Sequence, residues 1–138
     1  MRLDLKTALR GRDNAGCCMP RSICLTAGES MIIELANHVD EEGRKRILMR
    51  YDVLRFAKVF EDAEVVSVCY CLFENDLNVK QTAQKLYMHR NTLIYRLKKL
   101  KCDVGLDITT FSDAVIFIIL HCFYVSKRGT GKVFNEKQ

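Results

Sequence analysis

The residues whose types and spacing best suit a chemical task are the basic side chains between positions 78 and 101. This window holds seven Lys and Arg residues and no Asp or Glu, so it carries +7 in a chain whose formal net charge is +5. A concentrated positive charge on a remainder of −2 is the electrostatic footprint of a nucleic-acid binder. A merely solvated helix face usually mixes both signs to form i,i+4 ion pairs. The composition of this window therefore favours contact with a polyanion.

Catalytic and metal-binding patterns find no support elsewhere in the sequence. There is no glycine-rich phosphate loop, no H-E-x-x-H motif and no nucleophile with a base visible in the sequence. The seven cysteines fit no standard zinc spacing, and we interpret them as reduced thiols, with Cys69, Cys102 and Cys122 as small buried side chains. His38 and His121 are single histidines to which we assign no role. We therefore expect no enzyme activity, no bound metal and no cofactor.

Length and composition indicate a helical globular protein. A chain of 138 residues has room for one domain and its tails. It is 49% hydrophobic and 28% charged, and its one proline lies at position 20, which favours helices over the long remainder. No apolar run reaches the roughly 18 residues that a membrane span needs, and the charged first residues do not form a signal peptide. We expect an all-α, cytoplasmic protein that does not enter a membrane.

The periodicity of the apolar residues predicts six helices. They are expected over residues 31–39, 44–60, 62 to the turn at 75–78, 78 to about 87, 90 to about 102, and 111 to about 125. Asp62 is a good N-cap, Asn78 with Gln81 forms a capping box, and Gly105 is a stop signal. Thr110 and Asp113 form a second predicted capping box before the last helix.

Two of these helices, the first short and the second basic, are separated by about three residues, which is the pattern of a helix-turn-helix. Ala83 supplies the small residue at which the second helix crosses the first. Leu93, Leu97 and Leu100 form a stripe that faces inward. This arrangement leaves a polar, positive face outside, where a major groove can receive it. By periodicity alone, a membrane-surface helix or a partner-binding helix would look similar.

The stretch LNVKQTAQKLYMHRNTLIYRLKKL resembles the C-terminal helix-turn-helix of the PucR/CdaR regulators, and HRNTLIYRL, from His89 to Leu97, is its most specific part. The resemblance extends over about residues 62–121 and implies a Fis-like, all-α DNA-binding domain of a bacterial transcription factor. Two features depart from the pattern. The turn Tyr87-Met88-His89 contains no glycine, so we expect it to have another shape, and Ile94 stands where the family often has a basic or polar residue.

The predicted partner is double-stranded DNA, with the second helix, residues 90–102, in the major groove. Arg90 is expected to contact guanine or phosphate, Asn91 suits adenine, and Thr92 suits a thymine methyl group or a phosphate. The hydroxyl of Tyr95 has one of two expected roles: either it binds a phosphate, or the Tyr95 ring packs against the preceding helix and leaves the hydroxyl at the rim of that contact. The other predicted DNA-binding residues are phosphate contacts or plain solvated charges, and they are Arg96, Lys98, Lys99, Lys80 and Lys85.

The last helix is apolar nearly all round, which is typical of a helix buried on all sides. One hypothesis is a homodimer through the helix 111–125, with Phe117, Leu120 and Phe123 at the contact. The alternative is docking of this helix against residues 31–73. A rival function is a protein–protein interaction module that keeps the fold and has lost DNA binding.

The chain therefore divides into four predicted segments. They are a poorly defined N-terminal segment over residues 1–30, a helical lead-in over 31–61, a helix-turn-helix DNA-binding domain over 62–125 and a polar tail over 126–138.

Overall fold

The computed structural model describes residues 2–4 and 24–128. Two three-residue strands, β1 (Arg2–Asp4) and β2 (Cys24–Thr26), pair antiparallel with Leu3 opposite Leu25. Seven helices follow, and they are α1 (Ala27–Asn37), α2 (Glu41–Leu48), α3 (Val53–Glu61), α4 (Ala63–Glu74), α5 (Val79–Lys85), α6 (Arg90–Val104) and α7 (Phe111–Arg128). The predicted all-α class is confirmed, with the short strand pair as an addition that the sequence did not indicate.

Side-chain caps set the starts of four consecutive helices. The carboxylate of Asp40 accepts a hydrogen bond from the Gly43 N–H at the start of α2, and Asp52 serves α3 in the same way. Asp62 accepts from two N–H groups in the first turn of α4. The side chain of Asn78 accepts from the third residue of α5. Each cap satisfies a backbone donor that has no partner inside its helix, so the caps predicted at Asp62 and Asn78 are confirmed.

The buried side chains of α1 to α7 form one continuous core. It includes the predicted stripe of Leu93, Leu97 and Leu100, each at most 7% exposed. Since the helices before residue 62 share this core with those after it, the lead-in helices and the helix-turn-helix pack as one body. The predicted polar tail begins inside α7, which runs to Arg128, and residues 129–138 lie outside the described part.

Helix α7 docks into this core, as the alternative to a dimer contact predicted. The ring of Phe117 lies 5.3 Å from that of Phe60 and 5.8 Å from that of Phe73. The guanidinium carbon of Arg44 lies 5.5 Å from the centre of the Phe123 ring. Phe117 and Phe123 are fully buried and Leu120 is 1% exposed. Other residues of the same chain therefore cover these three side chains. They are not available for the predicted dimer contact, and a homodimer through the helix 111–125 stays a prediction.

Two further local predictions are wrong for identifiable reasons. The segment 44–60 is two helices, because Asp52 caps a new helix after a break at residues 49–52. Cys102 is exposed, because it lies on the face of α6 that is opposite the leucine stripe.

The capping box predicted at Thr110 and Asp113 is also wrong. These side chains instead tie down the loop before α7, since the carboxylate of Asp113 accepts from the Asp107 N–H and the hydroxyl of Thr110 donates to the Asp107 carbonyl. The stop at Gly105 is confirmed by its φ of 80°.

His121, to which we assigned no role from the sequence, is fully buried. The Nδ1 atom of His121 is 2.8 Å from the hydroxyl oxygen of Tyr70, and its ring lies against Phe60 and Phe117. Its Nε2 atom is buried and has no hydrogen-bond partner within the described residues. Burial disfavours the charged imidazolium and lowers the pKa of His121 to about 3.

We expect His121 to make the fold acid-sensitive. Below its ordinary pKa of 6.5 the unfolded chain binds a proton that the folded chain excludes, so stability falls as the pH drops from about 6.5 towards about 3. The loss approaches about 1.4 kcal/mol per pH unit for one proton. Urea unfolding between pH 7 and pH 4 measures this slope. His121→Asn removes the titration and should flatten the slope, whereas the exposed control His38→Asn should not. Equal slopes in all three proteins would contradict the assignment.

Candidate nucleic-acid interface

The helix-turn-helix predicted from the sequence is formed by α5 and α6, which remain two separate helices. Thr82 and Ala83 are the buried residues of α5, and α6 packs on this helix. The hydroxyl of Thr82 donates to the carbonyl of Asn78 at 2.8 Å, so its polar group is satisfied within α5. Ala83 is 3% exposed and has the small side chain that the sequence predicts for this crossing. Because the leucine stripe of α6 faces inward, the opposite face of α6 is left to solvent.

The turn between the two helices has the left-handed conformation that glycine usually supplies. Tyr87 has a φ of 53°, so the expectation of a different turn shape is wrong. The Met88 N–H donates to the carbonyl of Ala83 at 3.0 Å, and the Tyr87 N–H donates to that of Gln84 at 3.2 Å. This pair of bonds is a Schellman motif, which satisfies the last carbonyls of α5. The partly buried Leu86 and Met88 flank the turn and pack on the core.

The outward face of α6 carries most of the predicted contact residues. Tyr95 is 68% exposed, which excludes the interpretation that its ring is packed away on the preceding helix. Ile94 is only partly exposed. The other exposed members of the predicted set are Arg90, Asn91, Thr92, Lys98 and Lys99 on α6, and Lys80 and Lys85 on α5.

Acids from outside the basic window pair with two of its seven cations. Nη1 of Arg96 lies 2.6 Å from Oε1 of Glu64 at the start of α4. Nζ of Lys101 lies 3.5 Å from Oδ2 of Asp107. The pKa of the Asp107 carboxyl is lowered, and the hydrogen bond from the Thr109 side chain is the largest cause. The cations that have no acid partner among the described residues are Lys80, Lys85, Arg90, Lys98 and Lys99.

The start of α6 differs from those of α2 to α5. His89 occupies the N-cap position, but its side chain makes no capping hydrogen bond. The N–H groups of the first turn of α6 therefore receive no acceptor from the cap residue. A helix start in this condition favours an external anion through both its free donors and the helix dipole.

A groove of about 750 Å³ is lined by residues of α3, the start of α4 and α6. Its charged lining residues are the bases Arg55, Lys58 and Lys99, the acids Asp62 and Asp103, and the Arg96–Glu64 ion pair. The mixed signs make this flank nearly neutral. The uncompensated positive charge is therefore concentrated on α5 and on the outward face of α6.

Comparison with known proteins agrees with this geometry. A family model described as the PucR C-terminal helix-turn-helix domain matches residues 66–119. The PucR/CdaR-type helix-turn-helix domain predicted from the sequence is confirmed. Helix-turn-helix domains of this family are DNA-binding regulatory domains. The match runs from within α4 to within α7, so α1 to α3 lie before it although they share its core.

Three curated relatives are similar to part of this chain. Uncharacterized protein YsfB of Bacillus subtilis is 36% identical over 62 residues, which are 45% of this chain and 17% of that protein. Uncharacterized protein YxkF of the same organism is 36% identical over 55 residues, 40% of this chain and 18% of that protein. The leucine-rich protein of Streptococcus dysgalactiae subsp. equisimilis is 35% identical over 60 residues, 41% of this chain and 21% of that protein.

The chain thus spans about a fifth of the length of these relatives. No solved structure matches it. Within the described residues, no helix is both long and apolar enough to cross a membrane.

The crossing of α5 and α6 predicts a position-specific response to side-chain size. Ala83→Leu should overpack the crossing and lower the free energy of unfolding by about 1–3 kcal/mol. Gln84→Leu, the same new side chain at the exposed neighbouring position of α5, should leave it within about 0.5 kcal/mol. Urea unfolding of the two variants beside the unaltered protein measures both changes. Similar stabilities for the two variants would mean that Ala83 is not at a tight crossing.

Proposed function

We propose that the chain binds double-stranded DNA sequence-specifically, with α6 in the major groove, as a bacterial, cytoplasmic transcriptional regulator of PucR/CdaR type. One observation carries the proposal. Five cations that have no acid partner among the described residues lie on the two helices of a helix-turn-helix, and the polar face of the second helix is solvent-exposed. A double-stranded polyanion with a groove wide enough for a helix is the partner that fits this combination.

The first turn of α6 is the proposed base-reading segment. Recognition helices contact base edges with their N-terminal residues. Arg90 has the fork geometry to contact guanine O6 and N7, and Asn91 has the paired donor and acceptor that match adenine N6 and N7. Thr92 offers a methyl group for thymine and a hydroxyl for phosphate. All three side chains are exposed, which supports this assignment.

The remaining predicted residues are proposed to bind the sugar-phosphate backbone. Lys80 and Lys85 lie on α5, and the first helix of such a motif crosses the backbone. Lys98 and Lys99 lie on later turns of α6, where they suit phosphates that flank the groove. Tyr95 presents its hydroxyl on the same face.

Arg96 has a lesser part in this proposal than the sequence suggested. Its guanidinium already lies 2.6 Å from the carboxylate of Glu64, so a phosphate must compete with that carboxylate. Both side chains are substantially exposed, and a pair of this kind is worth at most about 1 kcal/mol. We therefore propose that Arg96 contacts phosphate only as an exchange partner of Glu64.

Affinity for duplex DNA should fall steeply with salt. If the four lysines proposed as backbone contacts, Lys80, Lys85, Lys98 and Lys99, each neutralise one phosphate, the slope of log K against log salt should be about −3.6, because each phosphate contributes about −0.9. Fluorescence anisotropy with a generic duplex at several salt concentrations gives this slope. Lys85→Gln should make it less steep by about 0.9, whereas Lys45→Gln on α2 should not change it. A slope near zero would leave the protein-interaction module as the better hypothesis.

The base-reading residues should be separable from the phosphate contacts. On a duplex selected from a random library, Asn91→Ala and Arg90→Ala should each cost about 1–3 kcal/mol, with little loss on random duplex. Lys98→Ala should weaken binding to both duplexes by a similar factor. Competition binding on the two duplexes measures these losses. Equal loss on both for Asn91→Ala would assign that side chain to the backbone instead.

A further inference from the structure

A tyrosine stands at the turn of the helix-turn-helix in a backbone conformation that suits glycine better. Tyr87 has a φ of 53° and is 97% exposed. The left-handed region is unfavourable for a residue with a Cβ atom, because that atom approaches the following carbonyl. A ring left almost entirely in water also contributes little burial in return. Packing of the fold therefore does not account for a large aromatic side chain at this position.

The backbone that carries the Tyr87 ring is held from both sides. Its own N–H donates to Gln84, and the next N–H, that of Met88, donates to Ala83. The side chains before and after it, Leu86 and Met88, pack against the core. The ring thus projects from a fixed base, and binding needs to order only its two side-chain torsions. A large side chain presented in this way is pre-organised for a contact outside the protein.

The place of Tyr87 in the motif indicates what that contact is. It lies two residues after Lys85 and three residues before Arg90, both exposed and without acid partners among the described residues. In a helix-turn-helix the first helix crosses the DNA backbone and the second enters the groove, so the turn lies at the groove edge. There the nearest polar groups of DNA are phosphate oxygens, to which tyrosine hydroxyls donate.

We propose that the Tyr87 hydroxyl donates a hydrogen bond to a phosphate of the strand that borders the occupied major groove. The inference rests on the proposed function and adds a contact residue to it. The contact is independent of base sequence, because phosphates are common to all sites. It is also independent of counterion release, because a neutral hydroxyl neutralises no phosphate charge.

The test is Tyr87→Phe in the full chain, which removes the hydroxyl and keeps the ring. The dissociation constant for duplex DNA should rise by about tenfold, as for loss of a hydrogen bond to a charged group. The factor should be the same on selected and random duplexes, and the salt slope should stay unchanged. That combination distinguishes a hydroxyl contact from a lysine contact, which changes the slope. Tyr51→Phe, which removes a hydroxyl on the connection between α2 and α3, is the matched control and should bind as the unaltered protein does.

A second variant separates binding from folding. Tyr87→Gly relieves the left-handed strain, so its thermal midpoint should be unchanged or higher by up to about 5 °C. Its affinity for duplex should nevertheless fall at least as far as that of Tyr87→Phe. Unchanged affinity in Tyr87→Phe, where the unaltered protein binds duplex, would overturn this inference alone. Failure of the unaltered protein to bind duplex at low salt would overturn the proposed function together with it.

Discussion

Burial of the leucine stripe on α6 is the constraint on which the rest of the interface depends. Each buried leucine contributes about 1.5–3 kcal/mol relative to an exposed one, and Leu93, Leu97 and Leu100 are all at most 7% exposed. Successive residues of a helix are 100° apart, so rotating α6 by one residue would turn two charged side chains inward, either Lys98 and Lys101 or Arg96 and Lys99. An unpaired buried charge costs several kcal/mol, and the rotation is therefore excluded on both counts. Which residues face outward is thus decided by what the inner face must bury.

Helices α1 to α3, which precede the segment matched by the family model, also contribute to the packing that buries the leucine stripe. The ring of Phe60 at the end of α3 contacts Phe117 and Tyr124 of α7, and Phe117 in turn contacts Phe73 of α4. These aromatic contacts join the lead-in helices to the elements that support α6. The hydrogen bond between Tyr70 and His121 lies in the same layer, so one satisfied polar contact also fixes how α4 meets α7. A disturbance there would reach the interface through packing rather than through charge.

The sequence predicted those parts of the fold whose causes are local. The starts of α4 and α5, the stop at Gly105 and the stripe of α6 depend on residues within a few positions of one another, and they are confirmed. The break at residues 49–52 was missed because the apolar pattern on both sides of it continues at helical spacing. The Arg96–Glu64 pair was missed because its partners lie 32 positions apart and only the packing of α4 and α6 brings them together. At Tyr87 the prediction was wrong because non-glycine residues usually avoid positive φ. Two backbone hydrogen bonds and the packing of the residues on either side hold Tyr87 in that conformation nevertheless.

The two ion pairs confine the uncompensated positive charge to a smaller part of the surface than the sequence alone suggests. Glu64 and Asp107 meet cations on opposite flanks of α6, and both partners keep much of their exposure. Pairs of this kind add little to stability, so their main effect is on where the potential is high. The flanks are neutralised, while α5 and the outward face of α6 keep their full charge. A polyanion that approaches the described part of the chain is therefore attracted to α5 and the outward face of α6, where the predicted contact residues lie.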